Sequence, residues 1–388
     1  KSREARRWRT YTEGWCRTTK EVGIILAGGN SNRLQELTLK RAVAAMPVGG
    51  AYRAIDFALS NMSHSSVEKV AVITQFNSGS LNAHLNSSKW WDFGRKQGGL
   101  YVFTPTITMD HHWWYRGTAD ALYQNIDYLR GCHEPYVIVA SGDGVYKLNY
   151  DEVLNYHIEK NSDITLVVKE MPLSDSLQRF GIVKMDEDGL ITEFNEKPMV
   201  VNSPLVSIGV YVMRRRMLIE MLEACNEEGR FDFVNDILIR HKDVKRMYAY
   251  PLKTFWQNIA SVDDYYKTNM DFLKTDVRKY FKSRPYVYSK VDDLPPAKYN
   301  EGSDVENSLI SSGCIINGRV ENSILFKGVF IGKGSVVRNS VVMHKAIIGE
   351  DSYLDNCIVE SYETIARGAS YLGNDKPKIV MNQHNKFG

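Results

Sequence analysis

A motif that recurs near the end of the chain constrains its fold more than any other sequence feature. Asparagine followed by a small residue and an apolar pair occurs at Asn307, Asn322, Asn339 and Asn356, at spacings of 15, 17 and 17 residues. Three faces of about six residues make one coil of a parallel β-helix, so this repeat predicts such a solenoid. Separate hairpins of a β-sandwich are the alternative, and the regular offset disfavours them.

The preceding part of the chain, residues 21–276, has a different pattern. Apolar runs typical of buried strands (VGIILA, KVAVITQF, YVIVASGD, ITLVVKEM and VSIGVYVM) alternate with stretches of helical periodicity such as TADALYQNIDYLR and RRMLIEMLEAC. This alternation predicts an α/β domain with a mainly parallel central sheet, into which a hairpin with its turn at residues 187–189 is inserted. We expect a linker at 277–298 and the β-helix at 299–388.

The basic charge of the chain is confined to its first twenty residues. The formal net charge is +3, but residues 1–20 contribute seven Lys or Arg and two Asp or Glu. The remainder carries 42 basic and 44 acidic residues, a net charge of −2. We expect residues 1–20 to be a disordered or appended basic leader, with an RNA- or membrane-binding arm as the alternative. The charge of residues 21–388 therefore predicts neither a nucleic-acid nor a membrane partner.

Cysteine usage and apolar run lengths indicate a cytoplasmic protein. The five cysteines are odd in number and scattered, without CxxC pairs or the Cys/His spacing of a zinc site. Such cysteines are typical of reduced thiols in the cytoplasm. No apolar stretch approaches the length that spans a bilayer, and no apolar segment of a secretory signal follows the basic leader.

Five stretches together resemble a known enzyme family. LAGGNSNRLQELTLKRA, GGAYRAIDFALSN, WWYRGTADALYQN, SGDGVYKLNY and EFNEKP occur in the order found in bacterial ADP-glucose pyrophosphorylase, the glucose-1-phosphate adenylyltransferase of glycogen synthesis. The resemblance implies a Rossmann-like nucleotidyltransferase domain followed by a C-terminal left-handed parallel β-helix. It also implies a reaction in which ATP and glucose 1-phosphate give ADP-glucose and pyrophosphate, with Mg²⁺ on the phosphates.

The glycine-rich loop departs from the family pattern. Family members resemble GG-R-G-[ST]-RL, whereas this chain has Gly28, Gly29, Asn30, Ser31 and, two positions on, Arg33. Asparagine replaces the loop arginine and removes a full positive charge. Serine replaces the inner glycine, and its Cβ restricts both close approach of phosphate and positive φ. The resemblance therefore implies a vestigial nucleotide site in which Gly28, Gly29 and Arg33 remain.

Two further departures concern charge on the triphosphate and its metal. Where the family resembles KRAKPAVP, the lysine expected on the phosphates is Val43. Asp143 stands where the family has its first Mg²⁺ ligand, although an Asp after a strand often serves only as a turn or helix cap. The second ligand is expected in W-x-D-V-G-T, where this chain has Asn258. Because Mg²⁺ prefers carboxylate oxygens, the resemblance implies possible but weakened metal binding.

The sugar-phosphate side resembles the family more closely. Glu196 and Lys197 match the EKP motif, whose lysine holds the phosphate of glucose 1-phosphate, although a surface lysine at a strand end is the alternative. The resemblance also assigns Tyr115, Gly181 and Ser207 to the sugar phosphate. Further vestigial nucleotide residues that it implies are Gln75, Gly117 and Asp120.

The combined losses favour a regulatory role over catalysis. Loss of one preorganised charge-stabilising donor typically adds about 3–4 kcal/mol to a reaction barrier. With Asn30, Ser31, Val43 and Asn258 at degenerate positions, we expect no catalytic residue set of the chain's own. The pattern resembles the family's regulatory, non-catalytic subunit class and implies a heterotetramer with a catalytic subunit. A slow but active adenylyltransferase and a stand-alone module for glucose 1-phosphate or another sugar phosphate remain alternatives.

Overall fold

The computed structural model describes residues 21–29, 32–94, 98–106 and 114–381. The predicted leader at 1–20 and the loop positions Asn30 and Ser31 lie outside the described residues. The α-helices of the described part are α1 (Ala54–His64), α2 (Gly79–His84), α3 (Thr118–Gln124), α4 (Ile126–Arg130), α5 (Tyr150–Glu159), α6 (Arg215–Glu227), α7 (Val262–Asp271) and α8 (Thr275–Lys282). Shorter 3₁₀ or π segments are Asn32–Thr38, Val43–Ala45, Ser88–Trp91, Asp175–Arg179, Phe233–Leu238 and Ile239–His241.

The first part of the chain is built on a large mixed sheet. Its strands and those of two small two-stranded sheets are β1 (Glu21–Leu26), β2 (Pro47–Val48), β3 (Tyr52–Arg53), β4 (Lys69–Ile73), β5 (Gly99–Phe103), β6 (Tyr136–Ser141), β7 (Gly144–Tyr146), β8 (Ile164–Glu170), β9 (Gly181–Met185), β10 (Ile191–Glu196), β11 (Leu205–Arg214), β12 (Met247–Pro251) and β13 (Trp256–Asn258). The order in the sheet is β10-β9-β11-β6-β1-β4-β5, with β8 pairing both β11 and β12.

The sheet is only half parallel, which differs from the mainly parallel sheet that we predict. Strands β6, β1, β4 and β5 run parallel, as the alternation of strands and helices indicates. Strand β11 instead runs antiparallel to β6, β8 and β9. The predicted hairpin of β9 and β10 is present and adds a further antiparallel pair. The chain passes from β8 through this hairpin to β11 without an intervening α-helix. Antiparallel strands can be joined by such short connections, whereas parallel strands need a longer crossover.

The central strands are apolar because both faces of the sheet are covered. Val22, Ile24 and Ile25 of β1 have almost no exposed surface, and the interior residues of β6 are equally buried. Side chains on one face pack with α1 and α5, and those on the other pack with α3, α4 and α6. Because parallel strands β1, β4 and β6 end at the same edge, the loops after them meet there, which is where α/β sheets commonly bind ligands.

Residues 298–380 form the predicted left-handed parallel β-helix, which is confirmed as three sheets of five parallel strands. The first sheet contains β14 (Lys298–Tyr299), β17 (Ile315–Ile316), β20 (Phe330–Ile331), β23 (Ile347–Ile348) and β26 (Thr364–Ile365). The second contains β15 (Asp304–Glu306), β18 (Arg319–Glu321), β21 (Val336–Arg338), β24 (Tyr353–Asp355) and β27 (Ser370–Leu372). The third contains β16 (Leu309–Ile310), β19 (Ile324–Leu325), β22 (Val341–Val342), β25 (Cys357–Val359) and β28 (Lys378–Val380).

The recurring motif forms one corner in four successive coils, with Cys357 in place of serine in the last of them. All four asparagines have positive φ, between 39° and 52°, which asparagine tolerates better than most residues. The following serine accepts a hydrogen bond from the backbone N–H of the next coil: Ser340 N–H donates to Ser323 Oγ at 3.0 Å, and Cys357 N–H to Ser340 Oγ at 3.1 Å. Asparagine therefore makes the turn, and serine links successive coils.

A shared apolar cluster joins the β-helix to the first domain. Phe281 of α8 and Tyr265 of α7 pack in one cluster with Ile324, Val341 and Ile358 of the third sheet. The hydroxyl of Tyr266 donates to the backbone oxygen of Asn339 at 2.5 Å, and Arg41 forms an ion pair with Glu360. The boundary at 276, which stays a prediction, falls inside helix α8.

The described cysteines are all buried and unbridged. Among the residues that the structure describes, every helix is too short or too polar to span a bilayer.

Candidate functional site

A cavity of about 570 Å³ lies where strands β1 and β6 end. The loops after these strands form one side, and the starts or ends of β9, β10 and β11 form the other. The cavity brings together nine of the residues that the sequence predicts: Gly29, Arg33, Val43, Asp143, Gly181, Glu196, Lys197, Ser207 and Asn258. Residues more than 200 positions apart thus line one cavity, as expected for a ligand site at the carboxyl edge of an α/β sheet.

Of the predicted residues that the structure describes, the others do not line this cavity: Gly28, Gln75, Tyr115, Gly117 and Asp120. A Cβ on Gly117 would lie 2.3 Å from the backbone oxygen of Phe231, so this glycine permits close packing. Gly28 lies against Gln75, whose Oε1 is buried without a hydrogen-bond partner among the described residues. The carboxylate of Asp120 accepts hydrogen bonds from the backbone N–H and guanidinium of Arg116.

Tyr115 is also engaged inside the protein, because its hydroxyl accepts a hydrogen bond from the Asn125 amide at 3.0 Å. The nucleotide and sugar-phosphate roles that the resemblance implies for these residues stay predictions.

Asp143 and Asn258 form a hydrogen-bonded pair at the cavity floor. Strands β7 and β13 pair antiparallel with Asn258 opposite Gly144, and the Ile259 N–H donates to the backbone oxygen of Asp143 at 3.1 Å. This pairing brings the Asn258 side chain to the Asp143 carboxylate, which also accepts a hydrogen bond from the Ser141 hydroxyl. Burial raises the pKa of the Asp143 carboxyl above its ordinary value, and the hydrogen bonds from Ser141 and Asn258 offset part of the rise.

This donor set fits a catalytic magnesium site poorly. Magnesium in nucleotide sites is held by hard oxygen ligands, of which carboxylates contribute most of the compensating charge. Here a single carboxylate accepts from two side-chain donors that would compete with a cation for its oxygens. The described residues contain no group of three or more His, Cys, Asp and Glu side chains that could hold a metal ion.

Val43 lies in the cavity wall but belongs to the core beneath it. It starts the 3₁₀ segment Val43–Ala45, and 8% of its surface is exposed. It shares an apolar cluster with Leu34, Leu37 and Met46. A side chain in this place offers dispersion contacts to the interior and no charge to a phosphate.

Glu196 and Lys197 stand at the end of β10. Lys197 has a φ of 48°, and its N–H donates to the backbone oxygen of Phe180 at 3.1 Å. Its Nζ lies 3.0 Å from Glu196 Oε1, while 63% of the side chain stays exposed. This arrangement leaves a cation at the cavity mouth that a phosphate group can reach. Ser207 is buried nearby and donates to the hydroxyl of Tyr211 at 3.3 Å.

Sequence reasoning missed a third cation in the cavity wall, Arg179, which lies there with Arg33 and Lys197. Its guanidinium forms two hydrogen bonds with the carboxylate of Asp264, at 2.5 and 2.7 Å. The available signal was its position directly before Phe180 and Gly181, a turn that resembles the family pattern. Its partner could not be found in the same way, because Asp264 lies 85 residues further along the chain.

Comparisons with known proteins agree with this geometry. The Nucleotidyl transferase family model matches residues 22–275, which contain the whole cavity. A model of the GlmU-like C-terminal hexapeptide region matches residues 295–378. A glucose-1-phosphate adenylyltransferase of Bacillus cereus is 40% identical over 353 residues, covering 90% of this chain and 94% of the relative. The chain belongs to the glucose-1-phosphate adenylyltransferase family.

Other members of the family give the same coverage. Glucose-1-phosphate adenylyltransferases of Bacillus thuringiensis and Bacillus anthracis are each 39% identical over 353 residues, again covering 90% of this chain and 94% of the relative. The adenylyltransferase family assignment therefore rests on both structural parts. It confirms the resemblance at the level of the family, whereas the regulatory class is a finer question.

Replacing the half-buried carboxylate of Asp143 should stabilise the fold. Because the pKa of Asp143 is raised in the folded chain, its ionisation opposes folding as the pH rises above the ordinary carboxyl value of 3.8. We expect Asp143→Asn to raise the thermal unfolding temperature by roughly 2–4 °C at neutral pH, and by less near the pH at which the carboxyl is protonated anyway. Thermal unfolding followed by circular dichroism at both pH values measures this difference.

The control for this prediction is Asp127→Asn, which neutralises a carboxylate that is 91% exposed. An unfolding temperature of Asp143→Asn that is lower than that of the unaltered chain at neutral pH would contradict the expected stabilisation.

Proposed function

We propose that this chain is a catalytically impaired, regulatory subunit of a glucose-1-phosphate adenylyltransferase in glycogen synthesis. The family reaction joins ATP and glucose 1-phosphate into ADP-glucose and releases pyrophosphate. A catalytic adenylyltransferase subunit is the proposed partner, in a cytoplasmic heterotetramer whose activity this chain raises or tunes.

The observation that carries this proposal is the Asp143–Asn258 pair. In a site that transfers an adenylyl group, two carboxylates would hold the metal that bridges the phosphates. Here the second position is an amide, and it is bonded to the one carboxylate that remains. We infer that Mg²⁺ binds weakly and without the alignment that reaction requires.

The valine in the cavity wall supports the same reading. Departure of pyrophosphate builds negative charge, which family enzymes neutralise with cationic side chains. Val43 supplies none, and the described residues leave Arg33 as the cation on the side of the glycine-rich loop. The cations on the other side, Lys197 and Arg179, are each paired with a carboxylate. The combined deficit corresponds to several orders of magnitude in rate, even if the individual effects are not additive.

The sugar-phosphate side supports a retained binding function. Lys197 keeps an exposed ammonium beside Glu196, and Gly181 and Ser207 lie in the same cavity. We infer that glucose 1-phosphate, or another sugar phosphate, binds at this end. Occupancy of the site would then be communicated to the partner through subunit contacts, as a coupling between two binding sites.

The proposed function is tested by measuring pyrophosphate release from ATP, Mg²⁺ and glucose 1-phosphate. We expect the chain alone to be slower than a catalytic homologue by at least about a thousandfold, because of the missing charges. We also expect a co-expressed complex of both chains to release pyrophosphate faster than the catalytic chain alone, at an equal concentration of catalytic sites. Native mass measurement of the complex gives its composition.

The alternatives correspond to different outcomes of this experiment. Pyrophosphate release by the chain alone within tenfold of a catalytic homologue would identify an active enzyme and exclude the impaired subunit. Binding of glucose 1-phosphate without either turnover or association with the catalytic chain would identify a stand-alone sugar-phosphate module.

A further inference from the structure

The ion pair between Arg179 and Asp264 closes one wall of the cavity. Arg179 ends the 3₁₀ segment before β9, and Asp264 lies in the first turn of α7. The two side chains are only 24% and 15% exposed, and both guanidinium–carboxylate contacts are within hydrogen-bond distance. The Nε of Arg179 is buried without a partner among the described residues. The arginine therefore has donor capacity that its internal partner does not use.

Arg179 lies next to the lysine that the family resemblance assigns to the sugar phosphate. Strands β9 and β10 pair antiparallel with Gly181 opposite Glu196, and the Lys197 N–H donates to the oxygen of Phe180. These contacts place the chain segments that carry Arg179 and Lys197 side by side. Both side chains line the same cavity.

Each of these two cations already has an internal carboxylate. Lys197 Nζ is 3.0 Å from Glu196, and Arg179 is bidentate to Asp264. A phosphate dianion that enters must compete with these carboxylates. The planar guanidinium fork binds phosphate oxygens with the same bidentate geometry that it uses for a carboxylate, so the exchange conserves its hydrogen bonds.

We propose that Arg179 is a phosphate-binding residue of this cavity and that Asp264 is its internal competitor. This assignment rests on the sugar-phosphate site of the proposed function. When the phosphate of a hexose 1-phosphate enters, the guanidinium leaves Asp264 for the phosphate oxygens and joins Lys197 there. Asp264 then keeps its hydrogen bond with Ser261, the residue that caps α7.

The exchange of Asp264 for phosphate as the partner of Arg179 can affect the contact between helix α7 and the β-helix. Asp264 is two residues before Tyr266, whose hydroxyl holds the corner at Asn339. Helix α7 packs against β22 of the third sheet and lies in the cluster that joins the two domains. Release of Asp264 at the cavity thus removes one restraint on the helix that the β-helix is seated against.

Two variants that break the same ion pair distinguish competition from a structural role. By isothermal titration calorimetry of the whole chain with glucose 1-phosphate, we expect Arg179→Gln to weaken binding about tenfold, because a charge-assisted bidentate contact is lost. We expect Asp264→Asn to strengthen binding about threefold, because the competitor is removed. Arg179→Lys should bind with intermediate affinity, since it keeps the charge without the fork.

The matched control for Asp264→Asn is Asp263→Asn. Asp263 lies in the same turn of α7, is 56% exposed and does not contact Arg179, so its substitution removes the same charge from the same region. We expect its affinity for glucose 1-phosphate to stay within about twofold of the unaltered chain, since exposed charges are screened. An equal gain in affinity for glucose 1-phosphate in Asp263→Asn and Asp264→Asn would show that the gain comes from the change in net charge alone. That result would overturn the proposal.

If the ion pair were purely structural, Arg179→Gln and Asp264→Asn would change the unfolding temperature and the affinity for glucose 1-phosphate in the same direction. If Arg179→Gln and Asp264→Asn lower the unfolding temperature alike and leave the affinity unchanged or equally reduced, Arg179 is not a phosphate ligand. Absence of measurable binding in the unaltered chain and in Asp264→Asn would overturn the proposal as well. These outcomes are separate from the regulatory role, which is measured by the turnover of the catalytic partner.

Discussion

Restoring four positions should convert this chain into a working adenylyltransferase. We expect the combination Asn30→Arg, Ser31→Gly, Val43→Lys and Asn258→Asp to release pyrophosphate from ATP and glucose 1-phosphate at least about a hundredfold faster than the unaltered chain. Each preorganised charge-stabilising contact typically contributes about 10²–10³ in rate, and the contacts act on one reacting group. A pyrophosphate-coupled assay in the presence of Mg²⁺ measures the gain.

The structure indicates how two of these substitutions would act. Asn258 is opposite Gly144 in the β7–β13 pair, so an aspartate there would face Asp143 and complete a pair of carboxylates. Val43 lies between the core and the cavity, so a lysine there can bury its methylene groups and extend its ammonium into the cavity. Two adjacent carboxylates repel one another without a cation, so we also expect added Mg²⁺ to stabilise the restored chain.

The control for the restored chain changes side-chain size but adds no charged group. Val43→Met with Asn258→Gln changes size at the same two positions without adding charge, and we expect no gain in turnover from it. Pyrophosphate release from the fourfold variant that stays at the level of this control would show that the missing chemistry lies elsewhere. The impaired-subunit proposal would then lose its physical basis.

Removal of one aromatic ring at the domain junction should have the largest effect on stability. Phe281 is 2% exposed and packs with four aromatic rings, of which Phe272 is stacked at 4.9 Å and Phe57 is edge-on at 5.3 Å between centroids. We expect Phe281→Ala to lower the free energy of unfolding by about 3–5 kcal/mol, because it creates a cavity that this rigid cluster cannot refill. Urea denaturation followed by tryptophan fluorescence measures the change.

The junction is also expected to unfold in a distinguishable step. The interior of the β-helix has its own cluster, including Ile316, Ile331 and Ile348, which does not contain Phe281. We therefore expect the β-sheet signal of the solenoid to persist at urea concentrations at which the junction has opened.

Two matched variants show whether the effect of Phe281→Ala comes from lost volume in the buried cluster. Phe281→Leu keeps most of the volume and should lower the free energy of unfolding by less than about 1.5 kcal/mol. Tyr286→Ala removes a ring that is 49% exposed and should have a smaller effect than the alanine at 281. Coincident midpoints for the unaltered chain and Phe281→Ala would show that the cluster does not hold the domains together.

The β-helix could be predicted from the sequence because its determinants are local and repeated. Asn322 and Ser323 have counterparts in neighbouring coils that play the same part: the asparagine turns the backbone, and the serine accepts an N–H from the next coil. The positions of the loop after β1 and of the strand ends that carry Asp143 and Lys197 could be predicted from the sequence for a similar reason. Apolar runs with turn residues after them indicate where parallel strands end, and such ends meet at one edge.

The sequence alone thus determined the two architectures, their order and nine of the residues that line the cavity. Only the tertiary structure decided that Asn258 is bonded to Asp143, that Arg179 is held by Asp264, and that Asp120 is engaged by Arg116 away from the cavity. It also decided the antiparallel course of β11. Periodicity and motif spacing describe which way a segment faces, whereas the partner of a polar side chain depends on how distant segments are packed against each other.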